Sequence, residues 1–320
     1  MRESPRQIFV LVASFALLAA LPWIAGAVGR PDLVTLGSQA CVMAIAAASL
    51  DLLMGRTGLP SFGHAAWLGL GAYTVGILAF HARDLGPPWD QWAVQAWAVW
   101  PLAVLVPAAL AAVIGALCLR TSGISFIMIT LAFAQMFFFL FVALKTYGGD
   151  DGLTLRRRST LPGIAPRDDV AFFYVCLTAL VLVLLLLRRV AASRFGTVLD
   201  GIRQNERRMM AIGLSPFPYK LAAFVLSAGI AGLAGALHVN LFRFASPDLL
   251  HWTMSGELMV MVVLGGLGSL WGAMFGAAAM VVLHAVLAQW TEHWQIVLGP
   301  ILVAVVLLAR RGVWGALGGK

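Results

Sequence analysis

VAFFYVCLTALVLVLLLL, residues 170–187, carries no charge until Arg188-Arg189 closes it, and SRFGTVLDGIRQNERRMMAIGL, residues 193–214, follows at once. Roughly 20 apolar residues in a helix cross the ~30 Å of hydrocarbon in a bilayer. The first stretch matches that solvent. The second is the only long, charge-dense, helix-like stretch between long apolar runs, so the two together read as a membrane span followed by a structured loop at the membrane surface.

Working outward, similar apolar runs lie near 8–28, 33–54, 65–81, 93–119, 123–144, 218–241, 255–270, 271–290 and 294–310. The expectation is an all-α integral membrane protein, residues 1–320 forming one transmembrane domain: a polytopic bundle of about ten helices with 193–214 as a cytoplasmic loop. Composition agrees, with 61% hydrophobic and 11% charged residues and a mean hydropathy of +0.91, where a soluble chain carries about a quarter charged residues. Gly265-Gly266-Leu267-Gly268-Ser269 interrupts 255–290 without a charge, which leaves two crossings or a re-entrant segment open.

The net charge of +8 does not indicate nucleic acid, because the basic residues are scattered over loops between spans. With the N-terminus inside, the cytoplasmic ends collect 14 of the 22 Lys and Arg, against only Glu3, Asp51, Asp200 and Glu206. That asymmetry places both termini in the cytoplasm of a multi-pass inner-membrane protein. Arg156-Arg157-Arg158 then falls outside, against the trend. The run 8–28 is longer than a signal peptide's apolar core and reads as a retained anchor, although Ala25-Gly26-Ala27 resembles a cleavage site.

Several chemistries are disfavoured. Cys41, Cys118 and Cys176 all fall within spans and share no spacing, so neither a disulfide framework nor a metal site is implied. None of the three lysines sits in a G-x-x-x-x-G-K-[ST] phosphate loop, the six histidines form no H-E-x-x-H, and there is no G-x-S-x-G elbow. The chain therefore reads as a non-enzyme with no cofactor of its own.

Between Val198 and Met210 polar and apolar residues alternate at helical spacing, with Gly196, Gly201 and Gly213 as turn or cap positions. An amphipathic surface helix would turn Asp200, Arg203, Glu206 and Arg207 outward and Val198, Ile202 and Met209 toward the bundle. Such a helix suits a partner's groove or, alternatively, anionic lipid.

Five features, the 193–214 loop among them, occur in a fixed order. Leu50 to Ala66, LDLLMGRTGLPSFGHAA, leads to Gly69-Leu70-Gly71-Ala72-Tyr73; then come Thr130 to Ala134, Tyr147 to Leu153 (YGGDDGL), the 193–214 loop, and Met261 to Gly272 (MVVLGGLGSLWG). Together they resemble the permease subunits of branched-chain amino-acid ABC importers, of the LivM-like type. The resemblance runs from about residue 35 to the last span.

It implies that 193–214 couples to an ATP-binding subunit through Gly196, Arg203, Glu206, Arg207 and Gly213. It also implies a second homologous permease, two ATP-binding subunits that hold the ATP, and an external solute-binding protein. Two departures stand out: Arg208-Met209-Met210 replaces small residues, and Asp51 replaces a more usual amide. A carboxylate near the end of a span needs a partner, and Arg56 is the expected one. Asp51, Pro60, Gly63, His64 and Thr130 are candidate path or gating residues, with close helix packing the alternative for the glycines and a structural hydrogen bond for His64. Asp150, Asp151 and Asp248 are candidate contacts for the binding protein, or a solvated acidic surface. The expected cargo is leucine, isoleucine or valine. The same family serves urea, short amides and other small solutes, which stay as alternatives. An ATP-independent carrier would need intramembrane carboxylates, for which only Asp51 and Glu257 present themselves.

Overall fold

Helices account for nearly all of the computed structural model, which describes residues 5–82, 92–161, 168–290, 299–300 and 312–317. In order they are α1 (Pro5–Val28), α2 (Asp32–Asp51), α3 (His64–His81), α4 (Ala96–Cys118), α5 (Ile124–Ala143), α6 (Asp169–Ala192), α7 (Arg194–Gln204), α8 (Glu206–Ala211), α9 (Pro216–Phe242), α10 (Trp252–Gly265), α11 (Leu270–Trp290) and α12 (Gly312–Leu317). A π-turn, Leu52–Thr57, prolongs α2. The only paired strands among the described residues, β1 (Leu153–Thr154) and β2 (Phe244–Ala245), are antiparallel.

Seven of these helices are long and apolar enough to cross a membrane: α1, α2 with its π-turn, α4, α5, α6, α9 and α11. Of the ten expected runs, two others are described and fall short of that length or hydropathy. α3 has 18 residues with a histidine at each end, and α10 has only 14 residues, about 21 Å of helix against the ~30 Å of hydrocarbon. The run 294–310 lies outside the described residues. Residues 255–290 are two helices broken at Gly266–Ser269, and the first is too short for a full crossing.

The centre is α2, α3 and α9. α9 packs on α2, α3 and α4, while α2 also packs on α6 and α11. Glycine makes this closeness possible. A Cβ at Gly71 would lie 2.5 Å from the Cα of Gly232, and one at Gly235 would lie 2.8 Å from the carbonyl carbon of Leu68. Lipid offers helices no hydrophobic reason to associate, so small residues that let backbones touch carry the packing. α1 lies outside this centre, with Phe9 and Trp23 exposed.

The bundle has two dissimilar ends. At one, α7 and α8 form a hairpin against the π-turn, and residues from α1, the Gly266–Ser269 break and α12 line a cavity with it. At the other, about 40 Å away along the 27-residue α9, β1 meets β2. There the short 3₁₀ turns Gly149–Asp151 and Pro247–Leu250 also meet.

Candidate functional site

Local sequence builds the hairpin. Ser193 caps α7, its Oγ accepting from the Gly196 N–H, and Asn205 caps α8, its Oδ1 accepting from the Arg208 N–H at 2.9 Å. Gly213 ends α8 with φ +87°, and the N–H groups of Gly213 and Leu214 turn back to the carbonyls of Met210 and Met209. A left-handed residue there is the usual helix stop, which explains glycine at that position. Gly196 answers a different need, since a Cβ would run into the Ala191 and Val190 carbonyls at the end of α6.

Leu199 and Ile202 are buried against the bundle, as expected for Ile202, and Val198 and Met209 are half-buried, Met209 lying against Gly201. Arg203 and Glu206 are exposed, as expected, and Asp200 is half-buried, but all three also hold polar partners on the bundle. Arg203 Nη1 donates to the Gly55 carbonyl at 2.6 Å, Arg56 Nη1 donates to Asp200 Oδ2 at 2.6 Å, and Lys220 Nζ meets Glu206 Oε2 at 2.6 Å. These groups fasten the hairpin because the π-turn offers the Gly55 carbonyl and the Arg56 cation and α9 offers Lys220, and charged hydrogen bonds are the stronger kind. Arg207, Arg208, Met210 and Ile212 form the exposed tip.

Asp51 also departs from expectation. It is fully buried and its Oδ1 accepts from the Gly268 N–H at 2.7 Å, while the Arg56 expected beside it pairs with Asp200 instead. Gly55 lies so close that a Cβ there would sit 2.5 Å from both Asp51 Oδ1 and the backbone of Gly268. The π-turn is thus clasped between α7 on one side and the α10–α11 break on the other. A π-helical turn is uncommon and concentrates at functional places.

The other path candidates separate into two groups. His64 is buried at the head of α3, with Nε2 2.8 Å from Ser49 Oγ. Because the Ser49 hydroxyl donates to the Ala46 carbonyl, it accepts from His64, which puts the imidazole proton on Nε2. Ser227 of α9 donates to the Ser49 carbonyl, and Ser255 of α10 accepts from the Ala65 N–H at 2.9 Å, so four helices share one polar knot. Gly63 and Thr130 form the second group. A Cβ on Gly63 would sit 2.5 Å from the Thr130 carbonyl, and the Thr130 hydroxyl is turned to its own helix at Ile127. Gly63, Trp67 and Thr130 line a cavity of about 10 Å³, room for one water at most, so α3 and α5 are shut on each other here. Pro60 is half-buried in the link before α3.

At the far end, Asp150, Asp151 and Asp248 are all exposed, and the 3₁₀ turns that carry them touch. Arg158 does not neutralise them. It is buried, donating to the Asn240 carbonyl at 2.9 Å, pairing with Asp169 at 2.6 Å and lying 4.6 Å over the Phe172 ring. Ser49, Ser227, Ser255 and Gly268 belong to these arrangements and were not singled out in the sequence. Only Gly268 carried a signal, as part of the glycine break.

A helical bundle of long apolar spans, with a polar hairpin clamped to one end and a shut seam inside, defines a multi-pass membrane permease. Residues 33–306 match the family model for the permease component of branched-chain amino acid transport systems, and the chain belongs to that family. It is 28% identical to the high-affinity branched-chain amino acid transport system permease protein LivM of Escherichia coli K12, over 96% of this chain and 75% of that protein. It is 27% identical to the LivH permease protein of Salmonella typhimurium LT2 over 38% of this chain and 40% of that one. A probable LivM of Methanocaldococcus jannaschii is 28% identical over 40% and 37%. No solved structure matches.

Proposed function

We propose that this chain is the permease subunit of an ATP-driven importer of branched-chain amino acids, and that the α7–α8 hairpin docks into an ATP-binding subunit on the cytoplasmic side. One observation carries the reading: the hairpin is fastened to the bundle by Arg203, Asp200 and Glu206, yet turns Arg207, Arg208, Met210 and Ile212 outward. Two apolar side chains exposed at the tip of a polar loop have no use for water, and a partner's cleft would cover them. A second homologous permease completes the path, two ATP-binding subunits hold the nucleotide, and a solute-binding protein meets the end where Asp150, Asp151 and Asp248 gather. The cycle needs partners that bind its two states unequally, because equal affinity shifts nothing. The permease itself holds no cofactor.

The test is reconstitution of the complex in vesicles, with leucine uptake and ATP hydrolysis measured together. Met210→Asp with Ile212→Asp is expected to abolish uptake while the permease remains in the membrane. Normal uptake in that variant would refute docking at this tip. For sidedness, a cysteine at Asp151 is expected to react with an impermeant reagent in intact cells; reaction only after permeabilisation would invert the topology.

A further inference from the structure

A cavity of about 780 Å³ opens at the hairpin end of the bundle, where α1, the π-turn, α6, α7, the α10–α11 break and α12 converge. Its walls are of two kinds. Arg56 and Arg188 supply charge, offset in part by Asp200; Leu267, Trp271 and Trp314 supply an apolar and aromatic wall. Among the described lining residues two guanidinium groups face one carboxylate, and Asp200 is committed to Arg56. Among the described residues no carboxylate lies within ion-pair distance of Arg188. The cavity sits where α6 ends and α11 begins, so it lies at the boundary between hydrocarbon and water.

We infer that this cavity binds the phosphate headgroup of an anionic phospholipid from the leaflet on the hairpin's side. A phosphodiester matches the charge and geometry of guanidinium donors. Leu267, half exposed, and the two indoles suit the glycerol and first acyl carbons, which a free soluble anion lacks. A second groove of similar volume, lined by Trp100, Tyr174, Leu182 and Leu186, has almost no polar wall and would accept acyl chains alone. The mixed lining therefore selects a headgroup. Because Arg56 belongs to the π-turn and Arg188 to α6, one phosphate between them would tie the base of the hairpin to the bundle.

The full-length chain, purified with the subunits that accompany it, is placed in nanodiscs of phosphatidylcholine alone or with phosphatidylglycerol; retained lipid is then counted by native mass spectrometry. Arg189 provides the control, since it is exposed on the same helix end but turned by about 100° and absent from the cavity wall. Wild type and Arg189→Ala are expected to retain phosphatidylglycerol, and Arg188→Ala to retain it roughly tenfold less tightly, the loss of about one charge-assisted hydrogen bond. Equal losses in the two variants would reduce the effect to general surface charge and overturn the site. Equal retention of phosphatidylcholine would overturn it as well. Displacement of the lipid by inorganic phosphate or glycerol phosphate at comparable concentration would assign the cavity to a soluble anion and overturn the lipid reading.

Discussion

α1 and α9 are similar in length and both strongly apolar, yet the most apolar stretch of α9 is 72% buried inside the protein and that of α1 only 6%. In water the more hydrophobic helix would be the inner one. Here the less hydrophobic helix is inside, because lipid satisfies Leu, Phe and Trp as well as a protein core does. What distinguishes α9 is Gly229, Gly232 and Gly235, which bring α3 and α4 against its backbone. Glycines mark the closest helix contacts of this protein, whereas large apolar residues occur both in its core, as Phe224 and Leu68, and at its rim, as Phe9 and Trp23.

Gly235→Val strikes at that distinction and carries the largest expected effect. Its side chain would enter the Leu68 carbonyl, and overpacking of about 3 kcal/mol or more should remove the folded protein from detergent extracts followed by size exclusion. Gly26→Val in α1 meets nothing within 4 Å and serves as the paired control, with a change within about 0.5 kcal/mol. Equal damage from both would erase the distinction between inner and outer helices.

Asp51→Ala comes next, because the Gly268 N–H would lose its buried acceptor at a cost of about 1–3 kcal/mol in thermal unfolding. Asp51→Asn keeps an oxygen at that place and should recover most of the loss. An asparagine as damaging as alanine would mean that the charge, rather than the acceptor, holds the α10–α11 break. The smallest effect belongs to the partly exposed pair between Arg56 and Asp200. A double-mutant cycle with alanine at each is expected to give a coupling of about 1 kcal/mol. Zero coupling would detach the hairpin's fastening from this pair and leave it to Arg203 and Glu206.

Apolar runs made most helices legible in the sequence, including the break at Gly266–Ser269. They could not rank the helices by burial, because Leu17 at the rim and Leu50 in the core are the same residue to a hydropathy count. The hairpin was legible as an amphipathic element through Ile202, with Arg203 and Glu206 outward, but the partners of Asp200 and Arg203 were not. Helical periodicity sorts residues by polarity, and it cannot know that the π-turn presents a carbonyl and a cation within their reach. The partner of Asp51 was hidden for a related reason: Arg56 is the nearest cation along the chain, whereas the acceptor's actual donor is a main-chain N–H with no residue-type signature. Ser49, Ser227 and Ser255 were illegible because serine in a span is common, and only the fold reveals that three of them converge.

The bond between Asp51 and Gly268 joins positions 217 residues apart. A ribosome adding about 5–20 residues per second needs some tens of seconds to make that intervening chain. Throughout that interval the carboxylate's final donor is not yet synthesised, whereas Arg56, five positions away, is made within about a second.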